Sequence, residues 1–219
     1  MNKSIFITGT DTDIGKTFVS IGLCLAQENK GLKVGYFKPL QSGAKDGIAP
    51  DVEELKKYSN SINVKYSYLF EQEVSPYLAS NLSGINVDIE KIKKDLADFK
   101  KENDFVVIEG AGGLYCPAFQ DKLFADIISE LNQEIIIVTT PNLGRINHTL
   151  MTVECAKQKG IKIKGIIINS MPEIKTQSQE NFANELKDFC DAEILGVIPQ
   201  MKNPDKAEII KNFDFFTSI

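Results

Sequence analysis

The stretch Ser4-Ile5-Phe6-Ile7-Thr8-Gly9-Thr10-Asp11-Thr12-Asp13-Ile14-Gly15-Lys16-Thr17 is an apolar strand running straight into a phosphate-binding turn. In a P-loop, successive backbone N–H groups wrap a di- or triphosphate. A lysine then reaches the terminal phosphates, and the following Ser or Thr hydroxyl ligates Mg²⁺. Gly15-Lys16-Thr17 supplies the last three parts. The first glycine of the usual pattern is displaced: Thr10 holds its place, with Gly9 one step early. The flanks nevertheless fit. A strand precedes the loop, and the apolar run Phe18–Ala26, closed by Gly31, reads as a buried helix with a glycine stop.

The rest of the chain repeats the same order. Apolar runs at Ile5–Thr8, Val34–Phe37, Phe105–Ile108, Ile135–Val138, Ile163–Ile168 and Ile194–Val197 read as strands. Several are continuous rather than alternating, as expected for parallel strands covered on both faces. Helical spacing separates them: Ile89, Ile92, Leu96 and Phe99 behind Asp88, then Thr149–Lys159 ending at Gly160, then Phe182, Leu186 and Phe189. The expected fold is α/β, a single P-loop NTPase-like domain over residues 1–219 with one parallel sheet flanked by helices. Ser59–Gly84 has no clear period and is expected to be a long loop or to hide short helices.

Composition narrows the chemistry. The net charge of −5 argues against a nucleic-acid partner, and no apolar run is long enough to span a bilayer, so a cytoplasmic protein is expected. Cys24, Cys116, Cys155 and Cys190 are dispersed without a Cys-x-x-Cys pair and read as buried thiols, with only Cys116 in a glycine-rich loop. A lone histidine, His148, argues against a zinc site and against a histidine-based nucleophile engine. Arg145 is the sole arginine, so phosphate charge falls to lysines, backbone and metal.

In parallel sheets ligands bind where strands end, and the informative residues follow strands here. Lys38-Pro39-Leu40-Gln41-Ser42-Gly43 places a lysine where it can neutralise an anion near the γ-phosphate; alone it reads equally as a surface lysine before a turn. Glu109, leading into Gly110-Ala111-Gly112-Gly113, offers a hard oxygen for Mg²⁺ beside glycines that admit a ligand closely. Asp51 is a second carboxylate, or a cap for a helix over Val52–Tyr58. Pro141-Asn142-Leu143-Gly144-Arg145-Ile146-Asn147-His148 opens a helix whose free N–H groups suit a carboxylate or phosphate, or are merely capped by asparagine. Asn169 ends a strand as a nucleobase partner or an ordinary turn residue.

Together these segments resemble the dethiobiotin synthetase family along almost the whole chain. The likeness rests on Gly9–Thr17, Lys38-Pro39 with Ser42-Gly43, Ser75-Pro76, Glu109–Gly113, Leu143-Gly144 with Ile146–His148, and Gly165 with Asn169. It implies a homodimer that uses ATP as co-substrate and Mg²⁺ to close a cyclic urea from 7,8-diaminononanoate and CO₂. It further implies that Lys16 binds the β/γ-phosphates within a nucleotide loop that includes Thr12, Asp13, Ile14 and Gly15. Thr17, Asp51 and Glu109 would hold the metal. Thr12, Lys38 and Ser42 would face the carbamate, with Thr12, Lys16 and Lys38 as the catalytic set. Gly110, Ala111 and Gly112 would border the nucleotide, and Asn169, with Pro199–Asp205, would recognise adenine. Gly144 and Asn147 of the partner subunit would hold the distal carboxylate. Two positions depart from the family pattern. Tyr77 stands where histidine is common, and Arg145 stands where a small residue is common, to strengthen carboxylate binding or to reach across the dimer. A partitioning-type nucleotide-switch ATPase shares the fold but places a signature lysine where this chain has Asp11.

Overall fold

The computed structural model describes residues 3–218. Its centre is a sheet of seven parallel strands in the order β3-β2-β4-β1-β7-β8-β9. The strands are β1 (Lys3–Gly9), β2 (Val34–Gln41), β3 (Asn63–Leu69), β4 (Phe105–Glu109), β7 (Ile135–Thr139), β8 (Ile163–Met171) and β9 (Ile194–Pro199). A small hairpin, β5 (Pro117–Phe119) and β6 (Lys122–Leu123), lies outside it. The helices are α1 (Lys16–Asn29), α2 (Pro50–Lys56), α3 (Pro76–Ser83), α4 (Ile89–Lys101), α5 (Phe124–Glu130), α6 (Arg145–Gln158), α7 (Gln177–Phe189) and α8 (Lys206–Asn212).

Alternation along each strand sorts the core into two layers. Ile5, Ile7, Tyr36, Val107, Ile136 and Val138 pack beneath α1 and α8, whereas Phe6, Phe37, Val106, Ile108, Ile135 and Ile137 pack beneath α4 to α7. Both layers are buried, which is why the strands read as unbroken apolar runs. All six expected strands are present. The Ser59–Gly84 segment is more ordered than expected: it holds the edge strand β3 and the helix α3, capped by Ser75 with Pro76 at its first turn.

Other expectations need adjustment. Phe189 does not continue the buried stripe of Phe182 and Leu186; it is the last residue of α7 and is 74% exposed. Of the four free thiols Cys24 and Cys190 are buried, but Cys116 and Cys155 are only half-buried. The aromatic tail is core. Phe213 lies against Gly22 of α1, and Phe216 packs edge-on to Phe105 while its carbonyl accepts from Gln27 Nε2. No helix among the described residues is long and apolar enough to cross a membrane.

The topology opens one crevice. β2 pairs with β4 only as far as Phe37↔Ile108 and then continues beside β3 alone to Gln41↔Leu69. Pro39, which has no N–H to donate, sits in the stretch that has lost its inner neighbour. Lys38 through Gln41 therefore overhang the ends of β1 and β4, facing the loop that leads into α1.

Candidate functional site

Gly15 forms the N-cap of α1 with φ 85°, and Asp13 is also left-handed at φ 54°, so the loop doubles back before the helix starts. An α-carbon substituent at Gly15 would overlap the Asn169 amide. That amide is buried at the end of β8 and donates through Nδ2 to the Ile14 carbonyl at 2.9 Å, strapping the loop to the sheet. Lys16 Nζ donates to the Asp11 carbonyl at 2.7 Å, within the same loop. Burial lowers the Lys16 pKa, partly opposed by the charge of Glu109.

A cavity of about 750 Å³ lies over this loop. Thr12, Asp13, Gly15, Lys16 and Thr17 line one side, and Glu109, Gly110, Ala111 and Gly112 another. Lys38, Ser42 and Asp51 complete the wall. Twelve residues proposed from the sequence are thus gathered in one place. Ile14 contributes only its carbonyl, its side chain being core.

At the floor, charges are closely coupled. Lys38 Nζ makes an ion pair with Asp51 Oδ2 and lies 3.4 Å from Glu109 Oε1. Thr17 Oγ1 stands 3.1 Å from Asp51 Oδ1 and 2.9 Å from Glu109 Oε1, positioned to donate to either. Burial alone would depress the Lys38 pKa, but Glu109 and Asp51 outweigh it and hold the ammonium charged. Burial would likewise raise Asp51; the Lys38 charge and hydrogen bonds from Lys38, Thr17 and Gln41 reverse that and keep it below the ordinary carboxylate range. Asp51 is not a cap. The N-cap of α2 is Ala49, and the Asp51 side chain turns instead to Lys38 and Thr17.

The donor set suits magnesium. Two carboxylates and a hydroxyl, all hard oxygens, converge at the start of α1, and Mg²⁺ takes one or two carboxylates when phosphate and water complete its sphere. Among the described residues no group of three or more His, Cys, Asp or Glu is assembled as a protein-only metal cage.

The remaining sequence-proposed residues lie elsewhere. Pro199 borders a separate cavity with Met171, Glu173 and Lys175, and the Asp205 carboxylate caps α8 by accepting from Glu208 N at 2.8 Å. Gly144 is the left-handed N-cap of α6, with no asparagine side chain capping the helix, and Asn147 follows on its exposed first turn. Arg145 does something neither sequence reading foresaw. Its Nη1 donates to Asp11 Oδ2 at 2.7 Å within the same chain, and this bond keeps the Asp11 pKa low.

Gln41, Glu73 and Tyr36 are among the lining or supporting residues that the sequence does not single out. Gln41 donates to the Ser42 carbonyl at 2.8 Å and to Asp51, leaving its Oε1 buried without a partner, like Ser42 Oγ. Glu73 borders the cavity from the segment before α3. Tyr36, fully buried in β2, donates its hydroxyl to Glu109 Oε2 at 2.7 Å. An asparagine or glutamine beside a strand end is a readable polar signal; a tyrosine inside an apolar run is not.

A family model described as an AAA domain matches residues 3–208. The chain is 37% identical to an ATP-dependent dethiobiotin synthetase BioD from Clostridium perfringens, covering 95% of this chain and 96% of that one. It is 38% identical to the protein of that name from Methanococcus vannielii, over 91% and 94% of the two chains. Among solved structures it is similar to the septum site-determining protein MinD with Mg-ADP from Pyrococcus horikoshii, with a TM-score of 0.65, 20% identity and coverage of 100% and 97%. It is also similar to cobyrinic acid a,c-diamide synthase from Mycobacterium smegmatis, with a TM-score of 0.59, 14% identity and coverage of 96% and 92%. Those two likenesses concern the fold. The full-length relatives, matched across nearly all of both chains, place this protein in the dethiobiotin synthetase family.

Proposed function

We propose that this chain carboxylates 7,8-diaminononanoate and closes the ureido ring of dethiobiotin at the expense of ATP. The observation that carries the reading is the convergence of Lys16, Lys38, Thr17, Asp51 and Glu109 on one cavity. A neutral amine attacks CO₂ to form a carbamate and releases a proton. A carbamate oxygen then attacks the γ-phosphorus in line, ADP leaves, and a carbamic–phosphoric anhydride forms. The second amine attacks its carbonyl, expelling phosphate and closing the ring. Positioning and charge stabilisation suffice for such phosphoryl transfer, so no histidine base is required.

Each residue has a distinct task in this scheme. Lys16 stabilises charge on the β/γ-phosphates, while Lys38, with Thr12 and Ser42, holds the carbamate oxygens. Thr17, Asp51 and Glu109 would hold Mg²⁺, which would supply positive charge to neutralise the phosphates. Lys38 is ion-paired to both carboxylates, so the residues that would hold the metal also keep the ammonium protonated and aimed. Gly110, Ala111 and Gly112 border the nucleotide, with Asn169, Pro199 and Asp205 on the adenine side.

The chain acts as a cytoplasmic homodimer in this reading, with Gly144 and Asn147 of one subunit binding the carboxylate of substrate held in the other. Exposed apolar residues around α6 support that arrangement: Leu143 is 90% and Met151 58% exposed, and Tyr115 shares a cavity of about 390 Å³ with Met151 and His148. Sedimentation equilibrium tests it, a monomer at micromolar concentration counting against it. The chemistry is tested by supplying diaminononanoate, bicarbonate and Mg·ATP and measuring phosphate together with the ureido product. Phosphate release should stop when the diamine is omitted. A switch ATPase would instead turn over nucleotide without the diamine, and here the position of its signature lysine holds Asp11, bonded to Arg145.

A further inference from the structure

Glu109 is 1% exposed and Tyr36 is fully buried, and the Tyr36 hydroxyl donates to Glu109 Oε2 at 2.7 Å. The two side chains share the α1 face of the sheet. Tyr36 stands opposite Val107 in the β2–β4 register, and the length of the phenol carries its oxygen one step further along that face, to residue 109. The other carboxylate oxygen, Oε1, faces the cavity floor, where Thr17 and Lys38 meet it. Tyr36 otherwise belongs to an apolar core layer that includes Ile5, Ile7, Val34, Phe105 and Val107. A phenylalanine would fill this space as well. The hydroxyl has one partner, and a buried hydroxyl is tolerated only with one.

We infer that Tyr36 is a positioning residue for the metal site, capping one oxygen of Glu109 so that the other is fixed toward Thr17 and the bound nucleotide. Without that bond the plane of the carboxylate is free to rotate about its last side-chain torsion. The bond from Tyr36 removes that freedom and satisfies the inner oxygen at once. Outer partners of this kind orient metal ligands, and their loss weakens metal binding. This rests on the proposed role of Glu109 as a magnesium ligand, and the experiment separates the two.

Binding of ADP is measured by titration calorimetry with and without Mg²⁺, in the absence of diamine. Glu109→Gln tests the parent reading: it should abolish most of the tightening that Mg²⁺ gives. Tyr36→Phe tests the inference, and should weaken apparent Mg²⁺ affinity by about tenfold or more while leaving metal-free ADP binding within about twofold. In the Glu109→Gln background, adding Tyr36→Phe should change nothing further, because the hydroxyl acts only through the carboxylate. Unchanged Mg²⁺ affinity in Tyr36→Phe, equal weakening of metal-free ADP binding, or additive effects in the double variant would each overturn the inference. If Tyr36→Phe alone does not fold, Tyr36→Phe combined with Glu109→Met, which leaves no polar atom facing the lost hydroxyl, decides. Folding restored once the buried carboxylate is gone supports the coupling, and folding still absent refutes it.

Discussion

Lys38 is nearly buried yet charged, because two carboxylates surround it. Replacing it with leucine removes charge from the place where the transferred phosphoryl group meets the carbamate. Lys38→Leu should lower turnover more than about tenfold, the scale lost when one stabilising group is removed from an active site. Circular dichroism and phosphate release on the same preparation check both halves of the claim. Asp51 gives a pH signature. Its pKa in the folded chain lies below the ordinary 3.8, so its contribution to stability is fully present above that value and fades as pH falls through the depressed one. Denaturant titrations between pH 6 and pH 3 should therefore show a smaller loss of stability for Asp51→Asn than for the parent chain. At this scale much was readable. Lys16, Thr17, Lys38 and Glu109 each stand at or beyond the end of an apolar run, and strand ends are where parallel sheets place ligands. Tyr36 was not readable, since its partner is set by the β2–β4 register, seventy-three positions away in the chain.

Among the elements, the loop before α1 is held from two sides. Asn169 straps it beneath through the Ile14 carbonyl, and Arg145 ties its Asp11 to the first turn of α6. Gly15 is the tight point, with a left-handed backbone and the Asn169 amide where a side chain would begin. Gly15→Ala should therefore displace loop or strap and weaken ADP binding by at least about tenfold, as calorimetry would show, with the backbone strain adding about 1 kcal/mol or more to the cost. The Arg145 tie is partly exposed and contributes at most about 1 kcal/mol to stability. Strands buried on both faces are legible in the sequence as runs that are apolar throughout. β3 escaped because it lies at the sheet edge, half-buried along its whole length, although Val64, Tyr66 and Tyr68 alternate with Lys65 and Ser67 in strand rhythm. α3 carried a cap and a first-turn proline in Ser75-Pro76, a start signal too short to show a period.

For the molecule as a whole, the two core layers are closed by opposite parts of the chain. The segment Phe213–Phe216 returns to the α1 layer, where Phe213 takes the space left by Gly22 and Phe216 meets Phe105. Phe213→Ala should cost about 3–5 kcal/mol, measured by denaturant unfolding, because the surrounding rigid elements leave a cavity. Aromatic residues near a chain end give no period from which such burial could be read. The division into two faces was readable only as continuous hydrophobicity; which face each residue joined required the register.

That register binds fold and chemistry together in β2. Tyr36 and Lys38 point to the α1 face while Phe37 between them points to the other, so function depends on odd and even. Losing Gly35, with Val34 held in place, would turn the ammonium and the phenol through to the opposite side and thrust Phe37 toward Glu109. Within this strand, inherited change can exchange side chains but has no room to alter their count. Insertions and deletions that leave the site whole must fall in its loops.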